Sequence, residues 1–125
     1  MTWWVIILLC IAAGIGAIAR YFVDQTVSAH NHLPIPMGTF IINCTACFLL
    51  GLLTGVSGAL GAPKAVSLIL GTGLLGGYST FSTASVEGVR LVWSGHPWQG
   101  LTHAGGMLIC SLCAGALGLW LGALA

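Results

Sequence analysis

Ser79, Thr80, Ser82, Thr83 and Ser85 crowd into one apolar stretch, residues 71–87, directly after Gly73, Gly76 and Gly77. The stretch reads GTGLLGGYSTFSTASVE. Glycines at that density weaken a helix, and the hydroxyls then stand at the depth of a membrane's hydrocarbon. Irregular backbone is tolerated there only where it is buried in protein or lines a cavity. Freed carbonyls and half-helix ends at such breaks hold ions in transport proteins. The chemistry suggested is therefore non-covalent, the binding or passage of an ion or small solute. A Gly/Ser-rich helix packed tightly against its neighbours would leave the same pattern, and both readings stand at this point.

Other polar residues are few. Asn43 lies well inside an apolar run. An amide there needs a partner, so it is either half of an interhelical hydrogen bond or an N–H donor lining an anion path. Ser111 is the deep hydroxyl of the last apolar run. Arg20 closes the first run, either snorkelling to the headgroups or standing as a cation at the mouth of an anion path. Glu87 and Arg90, spaced i,i+3, can pair with each other or face a vestibule, and neither is assigned a catalytic role. Cys44-x-x-Cys47 and Cys110-x-x-Cys113 have the spacing of a four-thiolate zinc site. Both pairs fall mid-helix among apolar residues, where thiolate is disfavoured and a metal has no entry, so they read as small apolar residues. His30 and His32 read as loop residues, and His96 and His103 are isolated. No nucleophile–base pair is visible, and the sequence does not read as that of an enzyme.

The elements that must position these groups follow from composition. The chain has 125 residues, 58% hydrophobic and 4% charged. A soluble domain needs about a quarter charged residues to cover its surface, so lipid must be the solvent here. A bilayer core takes about 20 apolar residues per helix, and residues 1–125 supply four such segments as one membrane unit without a soluble domain. The scarcity of Lys and Arg argues against nucleic acid and against a polybasic lipid-binding surface. The first apolar run lacks a basic lead and a clear cleavage site, so it reads as a retained helix.

Helix 1 is expected at about 3–23, with Trp3 and Trp4 at one interface and Tyr21 at the other. A polar loop follows at 24–37, where Pro34-Ile35-Pro36 blocks helix continuation. Helix 2 is expected at about 37–57, with Thr39, Asn43, Cys47, Gly51 and Gly55 as a stripe of small and polar groups facing another helix. Helix 3 is expected at about 65–93, broken near 76–80. Helix 4 is expected at about 98–124, with Gly106, Cys110, Ala114, Gly118 and Gly122 as a second close-packing stripe and Met107, Ser111 and Gly115 beside it. Arg20 and Arg90 then flank one side and Lys64 the other, a very weak orientation bias. Four helices also enclose a polar path with difficulty. Two copies inserted in opposite directions would resolve both points.

The chain resembles the Fluc/CrcB fluoride channels along most of its length. Gly16-Ala17-Ile18-Ala19-Arg20-Tyr21 is similar to the family's G-A-x-x-R-[YW], and Gly38-Thr39-Phe40-Ile41-Ile42-Asn43 to its G-T-x-x-x-N. Thr72-Gly73-Leu74-Leu75-Gly76-Gly77-Tyr78-Ser79-Thr80-Phe81-Ser82-Thr83 is similar to its T-G-x-x-G-G-x-[TS]-T-F-S-T. The resemblance implies an all-α protein of the cell membrane, a dual-topology antiparallel dimer with two fluoride pores. It implies a central structural sodium ion held by backbone carbonyls, here those of Gly76 and Ser79. The implied pore residues are Asn43, Phe81, Ser82, Thr83 and Ser111, with Arg20 near a vestibule. The implied activity is passive export of cytoplasmic fluoride, lowering its toxicity.

Three positions depart from the family pattern. A second phenylalanine usually lies three residues after the first, where this chain has Ala84. Polar residues often lie one turn either side of the helix-4 serine, where this chain has Met107 and Gly115. The chain can therefore be a homodimeric channel with an altered pore, or the accessory half of a heterodimer whose partner supplies the missing groups. A small multidrug or cation transporter would need a membrane-embedded acid; helix 1 has none, and Glu87 lies near an end.

Overall fold

Four helices in the computed structural model are long and apolar enough to cross a membrane: Trp3–His30, Met37–Leu60, Lys64–Trp93 and Pro97–Ala123. Residues 2–33 and 35–125 are described. The first two are α1 (Trp3–His30) and α2 (Met37–Leu60). The third is composite: α3 (Lys64–Ser67), a π-helical segment (Leu68–Leu75), α4 (Gly76–Tyr78), a short extended break, then α5 (Ser82–Trp93). The fourth is α6 (Pro97–Ala123).

The turns explain the ends. α2 stops at Gly61, which takes the left-handed conformation (φ 65°) while Ala62 N–H returns to Ser57 O at 3.0 Å. Only glycine adopts that backbone without strain. Gly95 (φ 84°) does the same before α6, whose first helical residue is Pro97, a position where the missing N–H costs nothing. α1 continues to His30 rather than ending near residue 23. The segment 24–30 is polar but contains neither Gly nor Pro, and polarity alone does not stop a helix. The connection is short and pinned by Asn31, which donates to Ile35 O at 2.9 Å and accepts from Leu33 N–H at 3.0 Å. Pro36 caps α2, while Pro34 lies outside the described residues.

The distortion of the third span also begins earlier than the glycine and hydroxyl pattern indicates. The helix widens from Leu68, and the backbone becomes extended at Ser79 (ψ 163°). Such wide turns re-phase a helix and gather at functional sites.

Small residues bring the helices together in two pairs. An added methyl at Gly118 of α6 would collide with Phe48 O of α2, and one at Gly51 of α2 with Gly115 O of α6. On the other side, Gly16 of α1 lies against Leu74 O, and Gly77 against Ala13 O of α1. Without a hydrophobic drive between helices in lipid, this close van der Waals approach is what associates them. The α6 stripe sits differently from its expected place. Gly118 and Gly122 are in the contact, but Cys110 is exposed, and the buried face runs instead through Gly100, His103 and Met107. Outside, Ile11, Ile18, Phe22, Leu108, Leu112 and Trp120 present an apolar surface suited to lipid.

Gly118→Ala should lower the melting temperature of detergent-solubilised protein, since forced overpacking costs about 1–3 kcal/mol. Gly14→Ala should melt like the parent or slightly higher, because an added methyl there meets nothing within 4 Å. Thermal melts of the two variants side by side check this.

Candidate functional site at the break in the third span

The break is held open by side chains that take over the helix's own hydrogen bonds. In a regular helix Thr80 N–H would donate to Gly76 O, and Thr83 N–H to Ser79 O. Here Thr80 N–H donates to Asn43 Oδ1 at 2.9 Å. Thr83 N–H donates to the Thr80 hydroxyl at 3.3 Å. The carbonyls of Gly76 and Ser79 lose their helical donors as a result. Asn43 returns a second bond, from Nδ2 to Thr80 O at 2.7 Å, so α2 grips the break with both ends of one amide. The other N–H of that amide rests on Met107 Sδ at 3.1 Å, a weak acceptor. Arg20 Nη1 donates to Ser79 O at 3.2 Å, tying α1 to the same point.

Two cavities flank the break. One, of about 300 Å³, is lined by Asn43, Phe81, Ala84, Ser85, Met107 and Ser111, among others. Its lining is mostly apolar, and Phe81 at its edge is 86% exposed in the single chain. The other, of about 210 Å³, is lined by Arg20, Asp24, Thr39, Thr80 and Thr83, and is the more polar of the two. The residues singled out from the sequence therefore divide. Asn43, Phe81 and Ser111 come together; Thr83 and Arg20 line the second cavity; Ser82 is exposed and lines neither. Gly76 and Ser79 sit at either end of the short turn that carries the freed carbonyls.

Several neighbours were not among the implied pore residues. Ser85, one of the hydroxyls of the 71–87 stretch, lines the first cavity while its hydroxyl donates to Phe81 O at 2.9 Å. Thr39 is buried, lines the second cavity and donates to Glu87 Oε1. Glu87 thus faces α2, and Arg90 stands exposed. Tyr78 OH and Thr45 Oγ1 lie 2.9 Å apart. Cys44 Sγ is 3.7 Å from Ser111 Oγ, whereas Cys110 and Cys113 are exposed.

The fold and site define a polytopic α-helical membrane protein with a polar broken-helix centre. The chain belongs to the family described as CrcB-like protein, Camphor Resistance (CrcB), whose pattern matches residues 7–123. It is 44% identical over 125 residues to "Fluoride-specific ion channel FluC 1" of Leifsonia xyli subsp. xyli, covering 100% of this chain and 91% of that protein. It is 41% identical over 114 residues to "Fluoride-specific ion channel FluC 2" of Cutibacterium acnes, covering 90% and 93%. It is 40% identical over 116 residues to "Fluoride-specific ion channel FluC 1" of Listeria monocytogenes serotype 4b, covering 93% and 95%. With four spans and this family, it is a multi-pass protein of the cell membrane.

Asn43→Ala should destabilise the fold by about 1–3 kcal/mol per polar group left unpaired and speed amide exchange at Thr80. Asn43→Asp keeps the acceptor for Thr80 N–H and loses the donor to Thr80 O, so its effect should fall between parent and Asn43→Ala. Hydrogen-exchange mass spectrometry in detergent, read on the peptide spanning the break, checks the order.

Proposed function

We propose that the protein is a fluoride-selective channel that lets cytoplasmic fluoride out down its gradient. The observation that carries this reading is the gathering of Asn43, Phe81 and Ser111 on one cavity beside a helix break, in a chain whose relatives are named as fluoride-specific ion channels. Fluoride is small and strongly hydrated, so a path must replace its water with donors. Ser111 supplies a hydroxyl, and on the other side of the break Thr83 supplies another. The Asn43 N–H resting on Met107 is held by an acceptor that an anion outcompetes. Ring edges carry positive potential, which gives Phe81 a role. A site without strong fixed charge lets the ion leave again.

The working unit in this reading is a dual-topology antiparallel dimer with two pores. The cavity beside Phe81 is half open, so one chain alone does not enclose a path. Sodium fits the break, because the freed Gly76 and Ser79 carbonyls are hard oxygen donors suited to it. A carbonyl has two lone pairs, so Ser79 can accept from Arg20 and still face a cation. When bound, sodium would supply positive charge and tie neutral backbone together. One observation favours a second reading, that of an accessory half of a heterodimer: Ala84 and Met107, two of the three departures from the family pattern, both line the Phe81 cavity.

Liposomes containing only this chain should release fluoride and retain chloride, and Phe81→Ile should abolish the release. No release from well-folded protein would reject the homodimeric channel and favour the accessory reading. Exchange of sodium for a bulky organic cation should lower the thermal stability of the purified protein, as expected when a ligand of the folded state is removed. Melting curves unchanged by sodium would reject the structural ion.

A further inference from the structure

His103 is 1% exposed, and neither of its ring nitrogens has a hydrogen-bond partner. Among the described residues, no other buried side-chain nitrogen or oxygen is left unpaired. Buried polar groups are nearly always paired, so an exception asks for a cause. Three helices meet around it. Gly100, one turn earlier on α6, packs on α5 so closely that an added methyl would stand 3.1 Å from Gly88 O. The preceding residue, Glu87, reaches α2 and accepts from Thr39, itself 2% exposed. Glu87 thus lies at the junction of α5 with α6 and α2, without bonding His103 directly. One turn further along α6, Met107 lines the Phe81 cavity and touches Asn43.

The other ionisable groups are placed elsewhere. Arg20 and Asp24 of α1 line the cavity on the Thr39 side. Arg90 of α5 is exposed, and Cys44 of α2 faces Ser111. Glu87 is therefore the charged neighbour that matters to His103.

We propose that His103 and Glu87 form a buried proton-binding site, with Thr39 holding the carboxylate in place. A neutral imidazole here leaves a donor and an acceptor unmatched. Taking one proton from water makes it a two-donor cation. A lone cation in this position would be strongly disfavoured, but paired with the Glu87 carboxylate it forms a neutral couple. A carboxylate has two oxygens, so Glu87 can keep Thr39 and receive the imidazolium together. The proton-bound state then joins α2, α5 and α6. It also places positive charge one helical turn from the cavity that Asn43 and Ser111 line. Burial disfavours the imidazolium and the Glu87 carboxylate favours it, and the balance of the two sets the pH at which the site fills, histidine being the side chain that ordinarily changes charge between about pH 5 and 8. The effect on conduction rests on the channel reading; the proton site itself does not.

The test is nitrogen NMR of labelled protein in bilayers, with the His103 signal identified as the one absent from His103→Gln. Conversion to imidazolium within about pH 5 to 8 is expected. Glu87→Gln keeps an acceptor for Thr39 but removes the anion, and should move that conversion to lower pH by about one unit, a tenfold weaker hold on the proton. A His103 signal that stays neutral across the range overturns the proposal, and so does one that titrates identically in Glu87→Gln. Fluoride efflux from matched liposomes should rise as pH falls in the parent and stay level in His103→Gln after subtraction of protein-free leak. Absent efflux at every pH would count against the channel reading alone, and the NMR titration would still decide the proton site.

Discussion

Everything at the centre of this protein depends on one exchanged pair of hydrogen bonds, the amide of Asn43 against the backbone of Thr80. A helix broken at membrane depth exposes carbonyls and N–H groups that lipid cannot satisfy. Asn43 satisfies one donor and one acceptor at the break with a single side chain, and the Thr80 hydroxyl satisfies a second donor, at Thr83. The carbonyls of Gly76 and Ser79 are among those left without helical donors, and Ser79 accepts from Arg20. Held by Asn43, Thr80 and Arg20, the break is a built feature rather than a weak point in a helix.

That arrangement needs α1, α2 and the third span fixed relative to one another, and the small residues do this. Gly16 and Gly77 set the approach of α1 to the segment just before the break. The same approach brings the Arg20 guanidinium within reach of Ser79, one turn further along α1. On the far side, the glycines of α2 and α6 set the approach that puts Met107 and Ser111 opposite Asn43 and Cys44. Packing without side chains and hydrogen bonding with side chains thus alternate along α2: Thr39 and Asn43 work at one end, Gly51 and Gly55 at the other.

Four spans and a disturbed third one were legible in the sequence, because hydropathy and the Gly/Ser cluster are local signals. The end of α1 was not, because residues 24–30 look like a loop by polarity yet contain nothing that stops a helix. The buried face of α6 was only half legible for a geometric reason. A strict four-residue repeat drifts around a helix of 3.6 residues per turn, so the series from Gly106 to Gly122 does not stay on one side. The observed face from Gly100 through His103 and Met107 to Gly118 and Gly122 mixes steps of three and four. For Asn43 the sequence left two roles open, and the structure shows the interhelical bond. Spacing could not have shown that its remaining N–H meets a sulfur, since that depends on the register of α6 against α2.

That sulfur matters to how the site can work. Thr39 and Asn43 lie one turn apart on α2, the first in the cavity with Arg20, the second in the cavity with Phe81. Thr80 joins them, lining the former and bonding Asn43. On the channel reading, an anion moving between the two cavities must pass this junction, where the strong donors are already committed to holding the break. The donor least committed is the Asn43 N–H on Met107. A hydroxyl in place of that sulfur would add a donor for the anion but would also compete for the amide that keeps the helix open. Methionine gives the amide a soft, easily displaced partner, so the break keeps its support while one N–H stays available. The apolar departure at residue 107 is in this respect consistent with a working path, and the burden of completing the wall falls on the open side at Ala84.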